Sequence, residues 1–107
     1  MQAARRKRLE RAGWKFGTVA EFLGLSDAES ALIEIRLALA ASLRTRRRTR
    51  RVSQVALAKA LGSSQSRVAK MEAGDASVSL DLLIRSLAIT GSTTAEIGRT
   101  IARAGTR

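Results

Sequence analysis

In the stretch "SQVALAKALGSSQSRVAKMEAG", residues 53–74, Gln54 and Gln65 each head a short helical pattern, and Ser66, Arg67 and Lys70 follow on the outer side of the second. These side chains exchange hydrogen bonds and carry charge. Their length and polarity suit the edges of bases in a DNA major groove, where every base pair shows its own set of donors and acceptors. The composition points the same way. A net charge of +11 on 107 residues attracts polyanions through its field and through counterion release, which puts nucleic acid first among partners, and the groove-reading side chains narrow that to double-stranded DNA. The sequence has no cysteine and no histidine, which removes disulfides, thiol nucleophiles, the usual zinc sites and the commonest proton shuttle near neutral pH. No nucleophile, and no paired acid and base, stands in a recognisable constellation. The chain therefore reads as a non-enzyme with no catalytic residue, metal or cofactor.

Recognition side chains need a packed frame to hold them outward, and 107 residues with 45% hydrophobic content supply one modest core. With 3% aromatic residues and no proline, the expected fold is all-α. Ser26, with Glu29 three residues on, predicts a helix from about Asp27. Leu32, Ile35, Leu39 and Leu43 form its core stripe. Ile33, Leu37 and Ala40 make a second apolar strip that calls for cover, most simply from Trp14, Phe16 and Phe22 upstream. "RTRRRTRR", six arginines between 44 and 51, ends that helix, where cations suit the macrodipole. Ser53 then caps a helix with Leu57, Ala58 and Leu61 inside, and Gly62 stops it. Ser63 or Ser64 caps the next, with Val68 and Met71 inside. Gly62 frees the backbone for a tight turn, and the small Ala58 lets the two helices cross closely. Residues 1–25 are read as a basic arm and lead-in, whose "RRKRLER" fits a solvated tail and a phosphate-binding arm equally well. Residues 26–107 are read as the domain, with the helix-turn-helix at 53–73.

The pattern Gln54, Ala58, Gly62, Val68, Glu72 and Gly74, with "QSRV" opening the third helix and "SLDLLIRSLAITG" following, resembles helix-turn-helix regulators of the XRE (Cro/cI-repressor-like) family. The likeness runs from about Ile33 to Ile101. It implies a five-helix lambda-repressor-like DNA-binding domain with an N-terminal extension, and a sequence-specific transcriptional regulator, a repressor, reading the major groove with the helix at 64–72. It also implies that Gln54 binds a phosphate and braces Gln65, which reads adenine. A glutamine amide can indeed pair with adenine N6 and N7 together. By the same matching, Ser66 and Lys70 are base-reading positions, Arg67 adds a phosphate or guanine contact, and Ser64 joins them at the helix cap. Glu72 is matched to a structural ion pair with Arg47. In the arginine run, Arg46 and Arg50 are expected to touch phosphates. A short recognition helix covers few base pairs, so a homodimer is expected, with Ile97 and Ile101 of "TAEIGRTIARAG" at its interface and Gly98 permitting close approach.

Three departures stand out. Arg51 occupies the end of the first helix, where relatives carry glycine. The loop after Gly74 reads "DASVS" where relatives are basic, and Val55 replaces a polar residue. The upstream "FLGLSDAESALIEIRLALA" looks like the lead-in of HigA-type antitoxins. That gives the alternative reading of an antitoxin of a type II pair, neutralising a RelE/HigB-like ribonuclease and repressing its own operon. Such toxins are basic, so a +11 partner needs clustered acids, and Glu21, Asp27, Glu29 and Glu34 are close in sequence. The longest apolar stretch, "LALAASL", is far short of the ~20 residues of a membrane span, and the expected location is cytoplasmic.

Overall fold

Among the described residues every helix starts just after a serine or threonine, whose hydroxyl accepts from a backbone N–H left free in the first turn. The computed structural model describes residues 26–104, which form five helices and no strand. These are α1 (Asp27–Thr49), α2 (Gln54–Leu61), α3 (Gln65–Glu72), α4 (Leu80–Ile89) and α5 (Thr94–Ala104). The arm "RRKRLER", together with Trp14, Phe16, Glu21 and Phe22, lies outside the described residues. Ser53 Oγ accepts from Ala56 N at 3.0 Å, Ser64 Oγ from Arg67 N at 3.2 Å and Ser79 Oγ from Leu82 N at 3.2 Å. At α5 the cap is reciprocal, with Glu96 N donating to Thr93 Oγ1 at 3.1 Å and Thr93 N to Glu96 Oε1 at 2.8 Å.

By its internal contacts the chain divides after Leu32. The described part of the first unit is the opening of α1, where Ser26 Oγ accepts from Glu29 N at 3.0 Å and Asp27 and Glu29 face the positive end of the helix dipole. The second unit holds one core. Leu39 and Leu43 of α1, Leu57 and Ala58 of α2, Val68 and Met71 of α3, Val78, and Leu83 and Leu87 of α4 are all buried together. Ile35 packs on this cluster, and Ala40 is also buried, but Ile33 and Leu37 are 53% and 48% exposed. The first turns of α1 are thus less covered than the apolar periodicity implies, and Leu32, expected in the core stripe, is exposed too. Ile97 and Ile101 of α5, expected at a dimer interface, are half-buried and pack against the core. A spacing of four makes one apolar face, and here that face covers the protein's own interior.

Two sharp turns shape the frame. Gly62 ends α2 at φ 65°, and a Cβ there would meet nothing within 4 Å, so glycine serves the left-handed backbone and not a lack of space. Ser63 N then bonds back to Ala58 O at 2.8 Å, and α3 starts two residues later. The α1–α2 turn has no glycine. Arg51 takes φ 56°, while Arg51 N bonds to Arg48 O and Val52 N to Arg47 O, both at 3.0 Å, in the manner of a Schellman cap. A side chain with a Cβ is strained in that region. Arg51→Gly is therefore expected to raise stability by about 1 kcal/mol, whereas Arg51→Ala keeps the strain and should gain nothing. Thermal melting of the three proteins decides it: equal gains from both substitutions would remove the strain as the cause.

Candidate nucleic-acid interface

The glycine turn lays α3 across α2, which buries Val68 and Met71 and leaves Gln65, Ser66, Arg67 and Lys70 exposed along its outer side. Ser64 Oγ caps the helix and shares a 3.2 Å hydrogen bond with Ser66 Oγ, so these two hydroxyls are ordered at the helix head. Gln65 Nε2 donates to Gln54 Oε1 at 3.1 Å, and Gln54 Nε2 donates to Glu72 Oε1 at 3.1 Å. The heads of α2 and α3 are thereby tied to each other and to the far end of α3.

Glu72 is in turn held by α1. Arg47 Nε donates to Glu72 Oε2 at 2.5 Å and Arg47 Nη2 to Oε1 at 3.0 Å, a two-pronged guanidinium–carboxylate pair. The remaining Arg47 prong, Nη1, donates to Val52 O at 2.9 Å and so fastens the α1–α2 turn to the same pair. The two side chains are 13% and 5% exposed, so the attraction is poorly screened. Burial by itself would raise the Glu72 carboxyl. The hydrogen bonds from Arg47 and Gln54 and the charges of Arg47 and Arg44 outweigh it and hold the group below the usual carboxylate range. The hydrogen bond to Glu72 pushes Arg47 further up. Burial also explains how an acid sits on a helix whose outer side carries Arg67 and Lys70, since its charge is neutralised internally and does not face outward.

The arginine run splits by helical rotation, at about 100° per residue. Arg47 turns to Glu72. Arg46 and Arg50, one helical turn apart, face the other way. Arg46 Nη2 pairs with Glu96 Oε2 at 2.9 Å and its Nε donates to Ser92 Oγ at 3.2 Å, while the Arg50 guanidinium lies where a Cβ on Gly91 would sit. Arg46 and Arg50 therefore hold α1 to the α4–α5 turn and to α5. Their expected role at phosphates meets this different arrangement, in which the Arg46 guanidinium is engaged by Glu96 and Ser92 and that of Arg50 lies against Gly91. The Thr93 backbone N–H first, with Arg46 and the Thr93 hydroxyl, brings the Glu96 carboxyl down to about 2. Arg44 and Arg48, which the sequence did not single out, are exposed and flank Glu72 and Ala73 across a groove floored by Leu37, Ala40 and Ala41. Once Arg47 is paired with Glu72 the phase of α1 is fixed, and positions three before and one after it fall on this side.

The loop from Ala73 to Ser79 is ordered without basic side chains of its own. Ser77 N donates to Asp75 Oδ1 at 2.8 Å, Arg36 Nη1 donates to Val78 O, and the Val78 side chain is buried. The two bonds from Ser77 lower the Asp75 carboxyl. No group of three or more potential metal-ligating residues occurs among the described residues, and no helix there is long and apolar enough to cross a membrane.

A family model described as a helix-turn-helix domain matches residues 38–100, more than half of the chain. No curated protein and no solved structure matches it significantly. The matched span runs from the buried half of α1 through the α2–Gly62–α3 turn and into α5, and it contains the whole Arg47–Glu72–Gln54–Gln65 chain of contacts. The protein belongs to the helix-turn-helix domain family, a family of DNA-binding domains.

Proposed function

We propose that the protein is a sequence-specific transcriptional regulator of the XRE (Cro/cI-repressor-like) type, acting as a repressor, with α3 in the DNA major groove. Gln65, Ser66 and Lys70 face the base edges, Arg67 a phosphate or guanine, and Gln54 and the Ser64 cap the flanking backbone. The observation that carries this reading is the Gln65–Gln54 hydrogen bond of 3.1 Å. An exposed glutamine already held in place loses less side-chain freedom on meeting a base than a free one does. Arg44 and Arg48 take the phosphate contacts on α1. An eight-residue α3 is only about 12 Å long, so two copies act together, on half-sites about one helical turn, ~34 Å, apart. Selection from a random double-stranded DNA library, followed by sedimentation on the selected site, tests this. A shared palindrome bound by two protomers is expected. A pool with no common sequence, or a one-to-one complex, contradicts it.

The exposed Ile33 and Leu37 on α1, with Glu34 between them, favour one second reading. An apolar strip beside acidic residues fits a small basic protein, as an antitoxin requires. A RelE-like ribonuclease encoded next to this chain and co-purifying with it would support that reading. Growth arrest by the same ribonuclease, unrelieved by this protein, would end it.

A further inference from the structure

The hydrogen bonds joining Arg47, Glu72, Gln54 and Gln65 all point toward Glu72, with Arg47 donating from one side and Gln65, through Gln54, from the other. A guanidinium only donates and an ionised carboxylate only accepts. Arg47 occupies both oxygens of Glu72, at 2.5 and 3.0 Å, and the carboxylate can then take only a donor from Gln54. Gln54 supplies its Nε2 at 3.1 Å. An amide carries its oxygen on the other side from its nitrogen, so Gln54 turns Oε1 toward Gln65, and Gln65 must answer with a donor. It does, through Nε2 at 3.1 Å. One N–H of Gln65 is thereby engaged, and its Oε1 and second N–H are left for a ligand.

We infer that Glu72, acting through Gln54, is a positioning residue that sets the polarity of the Gln65 amide and so makes it offer one acceptor and one donor, the complement of adenine N6–H and N7. This rests on α3 being the base-reading helix. Because the Glu72 carboxyl is held below its usual range, it stays ionised and acceptor-only at neutral pH.

An amide of the same shape in place of the carboxylate reverses the order. In Glu72→Gln, Arg47 takes the new side chain's oxygen and the amide nitrogen then faces Gln54. Gln54 turns Oε1 toward it and Nε2 toward Gln65, and Gln65 accepts with Oε1 and presents both N–H groups outward. Two donors match guanine O6 and N7, which are both acceptors.

The test uses the full chain and its selected site, with adenine or guanine at the position Gln65 faces. The wild type should favour adenine by roughly tenfold or more, and Glu72→Gln should lose that preference or invert it toward guanine. Gln54→Met keeps the Arg47–Glu72 pair and cuts the connection. It should melt near the wild type yet lose most of the preference without gaining one for guanine, and it decides the matter if Glu72→Gln does not fold. An unchanged adenine-to-guanine ratio in either folded variant, whatever its affinity, would overturn the inference. Side-chain amide spectra of the free protein separate this from the reading it rests on. A bonded Gln65 N–H that shifts in Glu72→Gln supports the directed order, and Gln65 resonances indifferent to that substitution overturn it with no DNA present. A wild type that shows the directed order but binds both bases equally overturns the base-reading role of α3, and with it any control of base preference by Glu72.

Discussion

Replacing Glu72 with alanine is expected to lower stability by about 3 kcal/mol, the scale of breaking a buried ion pair by removing one partner. Arg47 would keep its charge in a site where it is 13% exposed, with only Val52 O left to receive it, and Gln54 Nε2 would lose its acceptor. The same change at Asp75 removes an exposed carboxylate whose bond to Ser77 N lies in a surface loop, and should cost little. Urea unfolding of both variants makes the comparison, and equal losses would contradict the structural weight given to the pair. The pH dependence carries a sign of its own. The folded-state pKa of Glu72 lies below its ordinary value of 4.5, so its stabilisation is complete above that value and is lost as pH falls through the lowered one. The acid limb of the stability curve should be shallower in Glu72→Ala than in the wild type.

The largest effect on function is expected on α3. Gln65→Ala and Lys70→Ala should each cost ~1–3 kcal/mol on the selected sequence and far less on random DNA, because a base contact is lost and not merely a charge. Arg44→Ala and Arg48→Ala should weaken binding to both DNAs alike and reduce the salt slope by about one unit per lost phosphate contact. Arg46→Ala provides the contrast. Its guanidinium is committed to Glu96 and Ser92, so it should lower the melting temperature while leaving the salt slope nearly unchanged. Fluorescence anisotropy over a salt series reads all of these. Equal losses on both DNAs for Gln65→Ala and Lys70→Ala would mean that α3 does not read sequence.

The helix-turn-helix itself was legible because its signals are local. Ser53, Gly62 and Ser64 act through hydrogen bonds that span three to five residues, and the inward sides of α2 and α3 follow from the helical period. The all-α class was legible from composition, and the five-helix frame followed from the resemblance to XRE-type regulators. The arginine run was less so. Composition reports its charge, but which arginine meets which partner depends on the rotation of a 23-residue helix against the other four, and that rotation is set by Leu39 and Leu43 in the core. Ile97 and Ile101 illustrate the same limit, since a two-residue apolar stripe does not say whether it covers the protein's own core or a partner. Arg51 could be flagged from sequence as a non-glycine at a glycine position. Its positive φ shows that Arg51 itself takes the left-handed conformation and bears the strain. The link from Gln54 to Glu72 had no sequence signal, because it joins the start of one helix to the end of another across their crossing.

The most direct measurement is the affinity of the wild-type protein for its selected palindrome and for a scrambled duplex of equal length, across a range of salt. Both should weaken as salt rises, as +11 of net charge requires. The selected site should remain tighter by at least about a thousandfold at physiological salt. Two curves that coincide at every salt concentration would show attraction without reading, and would contradict a sequence-specific regulator.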